Sequence, residues 1–118
     1  MIPVHVLGRE ARAGFAQRLH ARPADERWTL IIEGLWWPPD APGDPALDVQ
    51  HIAGCACCTG SLAMRVALSR AIRQVRPTRL FVLTASEAHH GRVLDLLADV
   101  QYRTHFTVCD APHIPDAK

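Results

Sequence analysis

Three of the four cysteines fall within four residues, in the run Gly54-Cys55-Ala56-Cys57-Cys58-Thr59, and the fourth, Cys109, lies far along the chain. A disulfide between adjacent cysteines is strained, and Cys-x-Cys spacing suits one poorly too. A soft metal suits such a cluster better, because three thiolates can converge on one Zn(II) or Cu(I) ion. Binding of Zn(II) by Cys55, Cys57 and Cys58 is therefore the expected chemistry, with another soft or borderline metal as the alternative. A dithiol redox role competes with it, but the vicinal Cys57-Cys58 pair lacks the spacing of a Cys-x-x-Cys motif. His51, His89, His90 and Cys109 are candidates for a fourth ligand. Water or a partner's side chain would also serve. For each of the four alone, a surface or packing role is the commoner fate. His89 and His90 are neighbours at a helix start, so their rings diverge and at most one joins a site. Cys109 reads as a small passive residue on a strand's polar face.

The bulk properties narrow the setting. A chain of 118 residues suits one domain with a single core. Hydrophobic residues at 48 % and charged residues at 21 % are those of a globular protein. The 13 Lys and Arg are offset by 12 acidic residues, and a net charge of +1 argues against a broad grip on nucleic acid. No apolar run approaches the roughly 20 residues that span a bilayer. Met1-Ile2-Pro3-Val4-His5 lacks the basic and apolar regions of a signal peptide. The expected setting is a reducing cytoplasm, where clustered cysteines point to metal or redox chemistry rather than structural bridges. The partner this implies is a metal ion, with neither nucleic acid nor membrane.

The elements that must position the cysteines alternate between strand and helix. Ile2 to Leu7 reads as a strand ended by Gly8. Glu10 to Ala21 is helical, with Ala11, Phe15 and Leu19 recurring every four residues and Pro23 beyond. Trp28 to Ile32 is an apolar run of buried-strand type. A loop rich in Pro and Asp follows, preceded by Trp36-Trp37, which anchors that loop or forms an exposed partner patch. Leu47 to Ile52 is a strand that delivers the chain into the cysteine turn. Thr59 or Ser61 caps a helix to about Val75, with Met64, Leu68, Ala71 and Val75 as its apolar stripe and its arginines on a solvated face. Leu80 to Leu83 is a compact strand. Ala88 to Val100 is a helix with Val93, Leu94, Leu97 and Val100 on one face. Thr104 to Cys109 is a half-exposed strand near a sheet edge. This alternation predicts an α/β fold, a parallel sheet flanked by helices with right-handed crossovers. Ligands gather at the carboxyl ends of such strands. Gly8, the cysteine turn and Thr84 should therefore share one end of the sheet.

The turn from Ile52 to Thr59 resembles the Gly-Cys-x-Cys-Cys motif of the CobW-type metal-handling GTPases, a relatively specific signature. Its surroundings agree in order. Ile2 to Gly8 looks like that family's first strand leading to its phosphate loop, and Glu26 to Ile32 like its second strand. Leu62 to Leu68 and Arg76 to Leu80 look like its next helix and strand, and His89 to Asp95 like the helix beyond. The resemblance runs from Ile2 to about Asp110. It implies a truncated P-loop-NTPase-like, Rossmann-like domain over residues 1–118 that ends before the guanine-specificity segment and the C-terminal domain. It also implies a metallochaperone-like role, with a client metalloprotein or a CobW-like relative as partner.

The nucleotide motifs depart from the family. A phosphate loop reads GxxxxGK[ST], with Lys on the phosphates and a hydroxyl on Mg²⁺. The corresponding run here is Gly8-Arg9-Glu10-Ala11-Arg12-Ala13-Gly14-Phe15-Ala16. Gly14 stands where Lys belongs, and Phe15 and Ala16 where the hydroxyl residues belong. At the second catalytic element Leu83 takes the acidic position and Ser86 the glycine. The resemblance thus implies a relic fold with a retained thiol site, binding neither GTP nor Mg²⁺. A pseudo-GTPase interaction module that binds a relative or client is the runner-up. An active GTPase requires Arg9 or Arg12 to replace the missing Lys. Phosphoryl transfer rests on positioning and charge neutralisation, and each lost contact costs about several kcal/mol in the transition state. Phosphate release from GTP or ATP is therefore expected to stay at background. Mg²⁺-dependent turnover abolished by Arg9→Ala or Arg12→Ala would show that the degenerate loop works.

Overall fold

A computed structural model of the chain describes residues 1–34, 47–52, 60–85 and 87–109. The cysteine turn, the Trp36-Trp37 loop, Ser86 and the segment after Cys109 lie outside the described residues, as do the side chains of Arg9 and Arg12. Five strands are described: β1 (Ile2–Leu7), β2 (Trp28–Glu33), β3 (Leu47–Ile52), β4 (Arg79–Leu83) and β5 (Phe106–Val108). They form one parallel sheet in the order β3-β2-β4-β1-β5. The helices are α1 (Arg12–His20, after a 3₁₀ turn at Arg9–Ala11), α2 (Gly60–Arg70), α3 (Glu87–Leu97) and α4 (Val100–Arg103). Among the described residues no helix is long and apolar enough to cross a membrane.

The crossovers decide which face each helix covers. The β1-to-β2 connection runs one way along the sheet, and the β3-to-β4 and β4-to-β5 connections run the other. Right-handed crossovers then place α1 on one face and α2 with α3 on the opposite one. The core divides the same way. Phe15 and Leu19 of α1 pack on Leu7, Trp28, Leu30, Ile32, Phe81 and Leu83. Met64, Leu68 and Ala71 from the α2 side, with Val93 and Leu97 of α3, pack on Val4, Val6, Ile31, Ile52, Leu80 and Val82. Alternate strand residues feed opposite faces, as the period of two requires. Because both faces are covered, β2 is buried along its whole length.

The two faces differ in chemistry. Phe15, Trp28 and Phe81 form an aromatic cluster on the α1 side, with Phe81 4.9 Å from Phe15 and 4.7 Å from Trp28 between ring centroids. The Arg18 guanidinium lies over the Trp28 and Phe81 rings at 5.8 and 5.5 Å, within cation–π range. His5 stacks on Phe81 with centroids 4.9 Å apart. The opposite face is aliphatic near the strand centres.

Helix ends follow local chemistry. Beyond α2 the chain makes one π-helical turn, Ala71–Val75, and closes on Arg76 in the left-handed conformation (φ 49°), whose amide donates to the Ala71 carbonyl at 2.8 Å. Pro77 bars further helix. The helix expected to reach Val100 instead stops at Leu97. Asp99 then caps α4 by accepting from the Gln101 amide at 3.2 Å. That restart rotates the stripe, so Val100 is exposed rather than buried.

The α2 arginines also depart from a purely solvated face. Arg70 donates to Asp48 on β3 at 2.8 Å, and the same carboxylate oxygen accepts from Thr29 at 3.3 Å and Gln50 at 3.1 Å. Partial burial pushes the Asp48 carboxyl up, but the bond and charge of Arg70 with the Gln50 and Thr29 bonds outweigh it. The net pKa lies below the ordinary value of 3.8. The contribution of this network is therefore present at neutral pH. It is lost as pH falls from the unfolded pKa through the lower folded one. Asp48→Asn is expected to cost about 1 kcal/mol at neutral pH, given the half-exposed partner, and the gap should narrow as pH falls below the ordinary carboxyl value of 3.8. Urea denaturation of both proteins at each pH checks this.

Candidate metal centre

At the carboxyl edge, neighbouring strands send the chain to opposite faces. β1 leads through Gly8 to α1, and adjacent β4 leads through Thr84 to α3, which makes this boundary the switch point of the sheet. The two ends are tied together: the Thr84 amide donates to the Leu7 carbonyl at 2.8 Å, and its hydroxyl donates to the same oxygen at 3.2 Å. Gly8 and Thr84 thus share one end, as expected. Ile52 ends β3 at the same edge, in register with Glu33 of β2. The chain enters the cysteine turn from that point. Cys55, Cys57 and Cys58 themselves lie outside the described residues.

Glu33 is the polar centre of this edge. Its preceding strand neighbours are apolar and fully buried, and Glu33 itself is 3 % exposed. A carboxylate there must be hydrogen-bonded to persist. Its Oε1 accepts from the Ala85 amide at 2.7 Å and from Nδ1 of His89 at 2.9 Å. One oxygen therefore joins β2 to the turn after β4 and to the first turn of α3. Gly34 follows in a conformation reserved for glycine (φ +92°), and its amide donates to the Ile52 carbonyl at 3.1 Å. The end of β2 is fixed on both sides.

The four candidate fourth ligands separate clearly. His89 sits one turn before Val93 and two before Leu97, so it continues the buried stripe of α3. It lies on the same face of the sheet as Ile52 and α2. His51 is exposed, alternates with Ile52 and so belongs to the opposite face; its Nδ1 donates to the Gly34 carbonyl at 3.1 Å. His90 is half-buried and one residue off the α3 stripe. Cys109 follows β5 at the far edge of the sheet. Four strand spacings, roughly 19 Å, separate that edge from β3. Its amide donates to Val4 at 2.8 Å, three residues below the carboxyl end of β1. Among the described residues, no three His, Cys, Asp or Glu side chains gather as a metal site. What the edge holds is a carboxylate–imidazole pair beside the strand that leads into the cysteines.

Glu33 escaped the motif reading, although the sequence carried a signal for it: an acid ending the apolar strand Trp28-Thr29-Leu30-Ile31-Ile32. The opposite holds at Leu83. This residue, which the resemblance aligns with an acidic position, is fully buried against the aromatic side of the core. No carboxylate faces the switch point from there.

The chain is 39 % identical over 107 aligned residues to the zinc chaperone YeiR of Escherichia coli (strain K12), with 81 % of this chain covered. It spans 30 % of that relative's length. No protein-family model matches the chain, and no solved structure matches it significantly. The likeness to a zinc chaperone supports a CobW-type metal-handling family, in line with the resemblance carried by the cysteine turn.

The Glu33 bonds have a measurable consequence in the metal-free protein. Glu33→Ala removes the acceptor for the Ala85 amide and leaves a void, and it is expected to cost about 2–3 kcal/mol. Glu33→Gln keeps an acceptor oxygen and should cost roughly half as much. Urea denaturation of the two variants, with exposed Asp95→Ala as a neutral control, measures the difference.

Proposed function

We propose that this chain binds zinc through Cys55, Cys57 and Cys58 and passes it on by ligand exchange, without nucleotide hydrolysis. The observation that carries the reading is the likeness to a zinc chaperone in a chain whose three clustered thiols follow directly from the carboxyl end of β3. Zinc favours tetrahedral sulfur and nitrogen donors. Three thiolates fill three positions, and exchange takes place at the fourth. An incoming ligand from a client metalloprotein attacks there before the outgoing thiolates leave.

The described nucleotide elements support the uncoupling from hydrolysis. Leu83 is committed to the core, and Phe15, at a position for a metal-holding hydroxyl, is buried with it. Neither can turn toward a phosphate without opening the α1 side of the core. Without a γ-phosphate switch, metal transfer runs on relative affinity and exchange kinetics alone.

Elemental analysis of anaerobically purified protein tests the reading. Wild type is expected to carry about one zinc per chain, and the Cys55/Cys57/Cys58→Ser protein essentially none. Equal zinc in the two proteins would overturn it.

A further inference from the structure

We propose that the outer ridge of α2 docks an acidic amphipathic helix of a partner protein. The surface is Leu62, Ala63 and Val66, bordered by Arg65 and Arg73, and it uses neither the thiols nor the Glu33–His89 pair. Met64, Ala67, Leu68 and Ala71 pack inward on the sheet. On the reverse side Leu62 is 69 % exposed and Val66 60 % exposed, and Ala63 beside them is exposed too. Single apolar residues scattered over a surface are ordinary. Leu62 and Val66 are not scattered: four residues apart on one helix, their Cβ atoms lie about 6 Å from each other along one line. An i, i+4 ridge of this kind is the shape that fits the groove of a second helix.

Charge selects the kind of helix. From Gly60 to Arg76 the sequence holds four arginines and no acidic residue, in a chain whose overall charge is only +1. Arg65 borders the ridge on one side, and Arg73 is exposed about two turns beyond Val66. Among the described residues no ion pair joins either of them, whereas Arg70, on the other side of the ridge, is held by Asp48 at 2.8 Å. An apolar line with a charged border is the anatomy of a protein interface. Carboxylates flanking the partner's apolar stripe would face Arg65 and Arg73, steering the encounter and excluding basic partners. A second copy of this chain would set arginine against arginine in an isologous α2 contact. A bilayer surface requires a broad apolar face, and the sheet already covers the one α2 has. Nucleic acid gains nothing from the apolar line.

The test titrates the ¹⁵N-labelled chain with a synthetic helical peptide whose leucine stripe is flanked by Glu, and with its counterpart carrying Lys in place of Glu. The Glu peptide should shift the amide signals around Leu62 and Val66, and the Lys peptide should bind about 10-fold more weakly or worse. Raising the ionic strength from about 0.1 M to about 1 M should weaken the Glu peptide, because the Debye length falls from ~10 Å to ~3 Å. Leu62→Ser/Val66→Ser and Arg65→Glu/Arg73→Glu should each lower its affinity on the order of 10-fold, with urea midpoints close to wild type. The shift map of the wild type decides the matter even where a variant is unstable. Equal affinity for the two peptides, shifts absent from α2, or undiminished binding by either stable double variant would overturn the proposal. So would tighter, arginine-dependent binding of phosphatidylserine vesicles or of a single-stranded oligonucleotide, or α2 shifts that track the chain's own concentration without peptide.

Discussion

One carboxylate oxygen organises the functional end of this domain. Glu33 ends a strand that is buried on both faces, where an unpaired charge would cost several kcal/mol. It is held by a backbone amide after β4 and by an imidazole of α3. Those two bonds tie three elements that the chain reaches at separate times. They also give the carboxyl end of β2 a charged group, after the apolar Leu30, Ile31 and Ile32. Any ligand approaching the edge from the α2 side meets this pair beside the end of β3.

The sheet explains why that end is available. Parallel strands leave their carboxyl ends together, and right-handed crossovers send successive connections to whichever face their direction demands. With α1 on one side and α2 and α3 on the other, the segments after β1, β2, β3 and β4 all emerge at one edge. The aromatic face under α1 is closed by Phe15, Trp28 and Phe81, with Arg18 over the rings. The aliphatic face carries the polar groups near its rim, Asp48 with Arg70 and Glu33 with His89.

The division bears on what became of the nucleotide motifs. The resemblance aligns Phe15 and Leu83 with a hydroxyl residue and an acid of the nucleotide motifs. Both are buried in the α1-side core. Hydrophobic burial of this kind stabilises by about 2 kcal/mol per large side chain. Both side chains therefore contribute to the packing of α1 on the sheet.

The strands were legible from composition and period. Ile2–Leu7 and Leu47–Ile52 have the ends that the apolar alternation and the glycine signals imply, and the parallel order follows from helices set between strands. The cysteine cluster stands out by residue type and spacing, and lies outside the described residues. Helix continuity was less so: Val100 extends the stripe of α3 by period, but the local cap of Asp99 outweighs that period. The pairing of His89 with Glu33 was not legible. As one of two adjacent histidines it has no distinguishing spacing, and its partner lies 56 residues earlier in the chain. Only the packing of α3 on the sheet decides that His89 turns inward beside Glu33. Alternation along β3 sets the face of His51, whereas only strand order decides that Cys109 lies at the far edge. Local sequence determines which groups a segment carries and which way they alternate. Distances between segments are set by the sheet, because they depend on contacts that no single segment contains.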